Sequence, residues 1–91
     1  YASFDAFLAK RPADRPFCFW FGSHDPHVPW NRGERRKASL PVGKLRVPGH
    51  LPDAPATRED LLGYYAEVEE FDHEGGQIIE ALRQRGELDN T

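Results

Sequence analysis

A stripe of apolar positions at helical spacing runs through the C-terminal third of the sequence and defines the main element that this chain can form. Its positions are Leu61, Tyr65, Val68, Asp72, Gly75 or Gly76, Ile79 and Leu82. Thr57 and Asp60 form a relative of the capping box, and Gly86 is well placed to end a helix after Arg85. These signals predict a long amphipathic helix over residues 57–85, about 40 Å long at about 1.5 Å per residue.

Two positions on this stripe carry specific expectations. Asp72 lies on the apolar side and reads as a buried, hydrogen-bonded carboxylate with a structural role. Gly76 reads as a position of close packing against a sheet. The stripe needs a partner surface, which the rest of the sequence supplies poorly.

The first eleven residues predict a short helix. Ser3 can cap this helix, and Phe4, Phe7 and Leu8 recur at helical spacing. The helix is expected to end within residues 1–11, before the proline-containing stretch "KRPADRP".

The run "PFCFWF" predicts a buried strand over residues 16–21, because it is apolar on both faces. The sequence offers no second strand of this kind to pair with it. We therefore expect the chain to be an internal part of a larger domain, and the absence of an initiator Met points the same way.

Composition excludes several classes of function. The chain has 91 residues, 38% of them hydrophobic, which is low for an independent domain of this size. A net charge of -3 gives no reason to expect nucleic acid, and a single cysteine excludes an internal disulfide. No apolar run approaches the roughly 20 residues that span a bilayer.

Residues 22–56 form a long irregular segment rich in Pro, Gly, Arg and Lys, and loops of this length are usually functional or disordered. His24-Asp25-Pro26-His27 stands near its start. A histidine can carry or release a proton near neutral pH, because its ordinary pKa is near 6.5. From the residues alone, His24 fits a substrate contact or a solvated loop histidine equally well. Asp25 before a proline is also a common turn opening.

Other features of this segment leave alternatives open. Trp30 could stack on a sugar face or pack beneath the loop. A basic cluster suits an acidic or poly-sulfated glycan, although charge runs in loops are usually just solvated. The cluster consists of Arg32, Arg35, Arg36, Lys37, Lys44 and Arg46. A metal-binding module of His24, Asp25, His27 and His50 is disfavoured by the proline inside the turn.

Several short motifs, in order over nearly the whole chain, resemble the middle of a type I sulfatase of the alkaline-phosphatase superfamily. Within that family, the motifs look most like those of the bacterial members that are similar to heparan N-sulfatase and related glycan sulfatases. The matching motifs are His24-Asp25-Pro26-His27, Leu51-Pro52-Asp53, Tyr64-Tyr65-Ala66, Asp72 to Gly76, Leu82 to Gly86, and Asp89-Asn90-Thr91.

This resemblance implies an α/β fold, in which residues 1–91 are an internal fragment of an alkaline-phosphatase-like sandwich in a sulfatase catalytic domain. The fragment would contain a short helix, one buried strand, a long Pro/Gly-rich substrate loop and a long amphipathic helix. The expected bounds of these four parts are 1–11, 16–21, 22–56 and 57–85.

The resemblance further implies hydrolysis of sulfate esters or sulfamates on a carbohydrate, by a periplasmic or secreted protein. The family's formylglycine arises in a Cys/Ser-x-Pro-x-Arg motif, and its divalent metal is usually Ca²⁺; both would lie outside this chain. Cys18 lacks the required Pro and Arg and reads as a small buried hydrophobe. Asp89 and Asn90 precede the strand that carries family metal ligands. The 91-residue chain alone is therefore expected to be inactive.

By the same resemblance, His24 stands where the family has its sulfate-contacting histidine, which can also donate a proton to the leaving group. Asp25, His27 and Trp30 would complete the substrate pocket, with His27 chiefly shaping the turn. The expected partner is a sulfated carbohydrate or another sulfate ester. The alternative is a non-catalytic interaction or assembly module, domain-swapped or self-associating through the unpaired strand and the apolar helix face.

Overall fold

The structure, a computed structural model, contains two α-helices and two single turns of 3-10 helix. It describes residues 3–28, 30 and 38–91. Helix α1 spans Phe4–Lys10, helix α2 spans Pro55–Gln84, and the 3-10 turns span Val42–Lys44 and Leu88–Asn90. No helix in the described residues is both long and apolar enough to cross a membrane, as composition predicts.

The chain divides into two compact units. Unit 1 consists of the described residues of Tyr1–Gly22 together with Glu74–Thr91. Unit 2 consists of the described residues of Ser23–His73. The N-terminal part of α2 therefore belongs to unit 2 and its C-terminal part to unit 1.

Helix α1 begins at the cap that the sequence predicts. The hydroxyl of Ser3 accepts a hydrogen bond from the backbone N–H of Ala6 at 3.1 Å, and so satisfies one of the N–H groups left free at a helix start. Leu8 is buried on the inner face of this helix. The helix ends at Lys10, within the predicted range of 1–11.

Alternate side chains of the segment that follows pack on α1. The ring centroid of Phe19 lies 4.8 Å from that of Phe4 and 5.0 Å from that of Phe7. The ring of Phe17 lies 5.5 Å from that of Phe7, edge to face. Such edge-on and tilted contacts are the arrangements that aromatic rings prefer, so these four rings form the apolar centre of unit 1.

The predicted buried strand over 16–21 is wrong. This segment is extended, but no strand or sheet occurs in the part of the chain that the structure describes. Its outward side carries Trp20, which is 91% exposed, and Cys18 is exposed as well, so the prediction of a buried Cys18 is also wrong. The predicted α/β fold, an alkaline-phosphatase-like sandwich, is contradicted. A strand requires a neighbouring strand for its backbone hydrogen bonds, and here the phenylalanines are instead covered by α1.

Arg11 connects the end of α1 to the chain that follows α2. Its guanidinium carbon lies 4.8 Å from the centroid of the Phe17 ring, in a cation–π contact. Its Nη2 also donates a hydrogen bond to the carboxylate of Glu87. One largely buried charge thus holds two segments of unit 1 together.

Helix α2 starts two residues before the predicted position. Pro55 is its first residue, and the backbone N–H of Arg58 donates to the carbonyl of Ala54 at 3.0 Å. Proline suits the first helical position, because its fixed φ matches the helix and its missing N–H would have no partner there. Thr57 consequently lies inside the helix, and the predicted capping box of Thr57 and Asp60 is wrong.

The C-terminal end of α2 confirms the role predicted for Gly86. This glycine has a φ of 71°, in the left-handed region that favours glycine. Its N–H donates to the carbonyl of Arg83 at 3.0 Å, and the N–H of Glu87 donates to the carbonyl of Leu82 at 3.0 Å. This pair of bonds is the Schellman motif, which satisfies the last carbonyls of a helix.

Two predictions about the middle of α2 are wrong. Asp72 is exposed rather than buried. Gly76 is exposed too, and a Cβ added there would meet no heavy atom within 4 Å. The Asp72 prediction assumed that the apolar stripe is covered along its length, and the Gly76 prediction assumed a sheet, of which the described residues contain none.

Replacing Gly76 by Ala is expected to raise the free energy of unfolding by about 1 kcal/mol, because alanine favours the helix and meets no neighbour. Gly75→Ala, where the space is equally open, should act in the same direction. Urea unfolding followed by circular dichroism measures both. Gly86→Ala is the matched control and should destabilise by about 1–2 kcal/mol, since it forces alanine into the left-handed region. Destabilisation by Gly76→Ala would instead reveal a close neighbour at that position.

Candidate functional site

The His24-Asp25-Pro26-His27 stretch forms one tight turn at the start of unit 2. The backbone N–H of His27 donates to the carbonyl of His24 at 2.9 Å, and the peptide bond between Asp25 and Pro26 is cis. The backbone N–H of Asp25 donates to the hydroxyl of Ser23 at 3.2 Å. Asp25 and Pro26 therefore act as turn residues, in agreement with the turn-opening alternative drawn from the sequence.

The two histidines of this turn differ in what their rings contact. His27 is exposed, and its Nδ1 donates to the carbonyl of Val28 at 2.6 Å. His24 is exposed as well, and its imidazole makes no hydrogen bond with any described residue. A neutral imidazole has one donor, so the bond to Val28 occupies the donor of neutral His27. His24 keeps both ring nitrogens available to an incoming group.

Trp30 is half-buried and packs between this turn and the first part of α2. Its indole N–H donates to the carbonyl of Pro26 at 3.2 Å. Its ring lies edge-on to Tyr64, with centroids 5.8 Å apart. Of the two roles considered for Trp30, packing beneath the loop is the arrangement observed, while its contact with a sugar stays a prediction.

This arrangement suits recognition of an anion by one residue of the turn. A protonated imidazole offers two N–H donors and a positive charge, which match the oxygens of a sulfate group. The carboxylate of Asp25 only accepts hydrogen bonds when ionised, so it would repel a sulfate and would suit sugar hydroxyls instead. Of these two side chains His24 has the chemistry that suits an anion, and its contact with a sulfate and the substrate role of Asp25 both stay predictions.

The metal-binding alternative finds no support in the geometry. No three His, Cys, Asp or Glu side chains of residues 3–28, 30 and 38–91 lie close enough together to hold a metal ion. His50 sits in a turn of its own, which is closed by a 2.9 Å bond from the Leu51 N–H to the Pro48 carbonyl. The structure does not gather His50 and the residues of the His24 turn into a ligand set.

Most of the predicted basic cluster lies outside the described residues. This applies to Arg32, Arg35, Arg36 and Lys37. Lys44 and Arg46 are described, and both are exposed. Their side chains are thus accessible to an acidic partner, as well as to solvent.

Arg58 fixes the 3-10 turn Val42–Lys44 on the start of α2, a role that no sequence pattern predicted. Its Nε and Nη2 donate to the carboxylate of Asp53 at 2.6 and 2.8 Å. Its Nη1 donates to the carbonyls of Val42 at 3.1 Å and Leu45 at 3.3 Å. The only sequence signal for this cluster is an Asp and an Arg five positions apart across a helix start, and the two carbonyl contacts leave no signal.

Glu69 binds the irregular segment at a second position, Ser39. Both carboxylate oxygens accept from the backbone N–H of Ser39 at 2.9 Å, and one accepts from its hydroxyl at 2.6 Å. The two residues are 30 positions apart, so no local pattern predicts this contact. Ala38, which precedes Ser39, and Leu45, which follows it in the chain, are both buried.

Unit 1 contains an open cleft of about 440 Å³ that includes none of the predicted site residues. Aromatic side chains of Phe4, Phe19, Trp20 and Phe21 line it, together with the acidic residues Asp5 and Glu74. Its acidic and aromatic lining does not suit a sulfate group, which carries negative charge.

Comparison of this chain with protein-family models, with characterised proteins and with solved structures gives no match. The interpretation of the site therefore depends on the residues and contacts described above.

The attachment of the Val42–Lys44 turn to α2 by the hydrogen bonds of Arg58 is expected to weaken at low pH. Hydrogen bonds from Arg58 lower the pKa of Asp53 from its ordinary value of 3.8. A carboxylate whose pKa falls on folding stabilises the folded form above its ordinary pKa, and this stabilisation is lost as the pH falls through the lowered value. The Leu45 amide, which donates to the Val42 carbonyl at 3.2 Å, should keep a constant hydrogen-exchange protection factor at neutral pH and lose protection below pH 3.8.

Two variants provide the controls for this measurement by nuclear magnetic resonance. Asp53→Asn should show low protection of the Leu45 amide already at neutral pH, without a further step in acid. Arg83→Ala removes a surface pair with Glu80 on α2, and should retain the acid step. Full protection of Leu45 in Asp53→Asn would contradict the assignment of this role to the Arg58–Asp53 pair.

Proposed function

We propose that this chain contributes part of the substrate pocket of a sulfatase, an enzyme that hydrolyses sulfate esters or sulfamates, with a carbohydrate as substrate. The observation that carries the proposal is the His24-Asp25-Pro26-His27 turn. Its sequence resembles the sulfatase motif, and its geometry leaves the imidazole of His24 exposed and without a bond to any described residue, while the Nδ1 of His27 is bonded to Val28.

His24 has the chemistry that sulfate hydrolysis requires. Negative charge on the non-bridging oxygens must be stabilised in the transition state, and the leaving oxygen must receive a proton. The imidazolium of His24 can donate a hydrogen bond to the sulfate and can act as that proton donor. The proposal assigns contact with the sugar to Asp25, the next residue of the turn, and to Trp30, which is bonded to the turn at Pro26.

The proposal assigns the nucleophile to another part of the protein. No Cys/Ser-x-Pro-x-Arg motif occurs in the sequence; the nearest stretch is Ser39-Leu40-Pro41-Val42-Gly43, which has Gly43 in place of the Arg. The formylglycine and the divalent metal, Ca²⁺ in the sulfatases that the motifs resemble, are accordingly proposed to lie outside these 91 residues.

His24→Ala in the intact protein is expected to lower kcat/KM for an aryl sulfate by about 100-fold or more, the range seen when a donor to a developing oxyanion or a general acid is removed. Steady-state kinetics measures the change. His50→Ala, which alters another exposed histidine of unit 2, should leave the rate unchanged. Unchanged kinetics for His24→Ala would remove His24 from the site. Turnover by the 91-residue chain alone would show that the proposed division of roles is wrong.

Self-association is a second candidate function, and the exposure of large apolar side chains favours it. The exposed large apolar residues among those described are Trp20, Val28, Val42, Leu51, Tyr65, Phe71 and Ile79. Where such side chains form a contiguous patch, the patch often binds another chain. Sedimentation velocity over a range of concentrations should then show a dimer or larger species, whereas a monomer at the highest concentration would contradict this function.

A further inference from the structure

The indole of Trp30 contacts two parts of unit 2 at once. Its N–H donates to the carbonyl of Pro26 at 3.2 Å, inside the His24 turn. Its ring lies edge-on to Tyr64 on α2, at a centroid distance of 5.8 Å. A single side chain therefore connects the turn to the helix.

The bond to Pro26 matters because the other hydrogen bonds of this turn are local. Within the described residues, the turn is otherwise closed by bonds between positions no more than three apart, among Ser23, His24, Asp25, His27 and Val28. These bonds shape the turn, but none of them attaches it to a helix. Proline has no N–H, so at this position the carbonyl is the backbone group by which the turn can be attached.

Gly63 provides the space that Trp30 occupies on α2. A Cβ added at this glycine would lie 3.7 Å from the Cβ of Trp30, at ordinary van der Waals distance. An alanine therefore fits without moving the indole. A longer side chain would reach beyond this contact and crowd the base of the Trp30 side chain.

We infer that Trp30 is a positioning residue, which attaches the His24 turn to α2 and thereby fixes the direction in which the imidazole of His24 meets a sulfate group. The sulfate contact rests on the proposed function, whereas the attachment of the turn rests on the contacts of Trp30 alone. Trp30→Phe keeps the Cβ beside Gly63 and an aromatic ring facing Tyr64, but removes the N–H donor. Gly63→Leu keeps the donor but crowds the Trp30 side chain at its Cβ.

Hydrogen exchange on the 91-residue chain tests the attachment. The reporter is the His27 amide, which closes the turn onto His24. Loss of one net hydrogen bond corresponds to about a fivefold change in an equilibrium at 25 °C. We expect the protection factor of this amide to fall by about that factor in Trp30→Phe and in Gly63→Leu. Gly63→Ala is the matched control and should retain full protection.

The Leu45 amide, which reports on the turn held by Arg58, distinguishes positioning from a general loss of structure. Its protection should remain unchanged in both test variants. The inference is overturned if His27 protection in Trp30→Phe stays within twofold of the unsubstituted chain, or if Leu45 protection falls by the same factor as that of His27.

Titration with sodium sulfate against sodium chloride at equal ionic strength tests the link to His24. Sulfate should shift the imidazole resonances of His24 in the unsubstituted chain and in Gly63→Ala, and should do so several-fold more weakly in Trp30→Phe. Equal sulfate affinity in Trp30→Phe, combined with loss of binding to a sulfated sugar, would make Trp30 a sugar contact and overturn its positioning role. The absence of a sulfate-induced shift in the unsubstituted chain would contradict the proposed function, while His27 protection would still decide whether Trp30 attaches the turn.

Discussion

Charge-assisted hydrogen bonds from Arg58 hold the irregular segment of unit 2 on the start of α2. This chain depends on such contacts because it buries little apolar surface: the buried hydrophobic residues among those described are Leu8, Ala38, Leu45, Ala66 and Leu82. Two of these five are alanines, whose small side chains contribute little area. Arg11 has the corresponding role in unit 1, where one guanidinium contacts both an aromatic ring and a carboxylate. In each unit a planar cation with several donors joins segments that few apolar contacts would hold.

The N-terminal part of α2 provides the anchors for unit 2. Arg58, Gly63 and Glu69 succeed one another along this helix, and they contact, respectively, the Val42–Lys44 turn, Trp30 and Ser39. The described parts of the irregular segment are thus attached to the helix at intervals, at Trp30, at Ser39 and at the Val42–Lys44 turn. His24 is exposed, and its turn is attached to α2 through Trp30 and not through a strand.

Local signals were sufficient for only part of this structure. Ser3 and Gly86 were predicted correctly, because a cap and a left-handed glycine act within three or four residues. The strand over 16–21 was not, because a strand depends on a partner from elsewhere in the chain. The burial of Asp72 was inferred from the apolar stripe, and a stripe does not show whether another segment covers it. The contacts of Glu69 and Arg58 also escaped prediction, since carboxylate and guanidinium groups bind backbone atoms of any residue type. For the site, the resemblance singled out the His24 turn and placed His24 ahead of His27, and the geometry adds that the ring of His27 is bonded to the Val28 carbonyl.

Each unit contains one tryptophan, and the two have different surroundings. The indole of Trp20 in unit 1 is almost fully in water, whereas that of Trp30 in unit 2 is half-buried beside Tyr64 with its N–H bonded. An indole in water emits at longer wavelength and is quenched more readily by a dissolved ion than one that is partly enclosed. The intrinsic fluorescence of the chain therefore contains two separable components, and each reports on the integrity of a different unit without any added label.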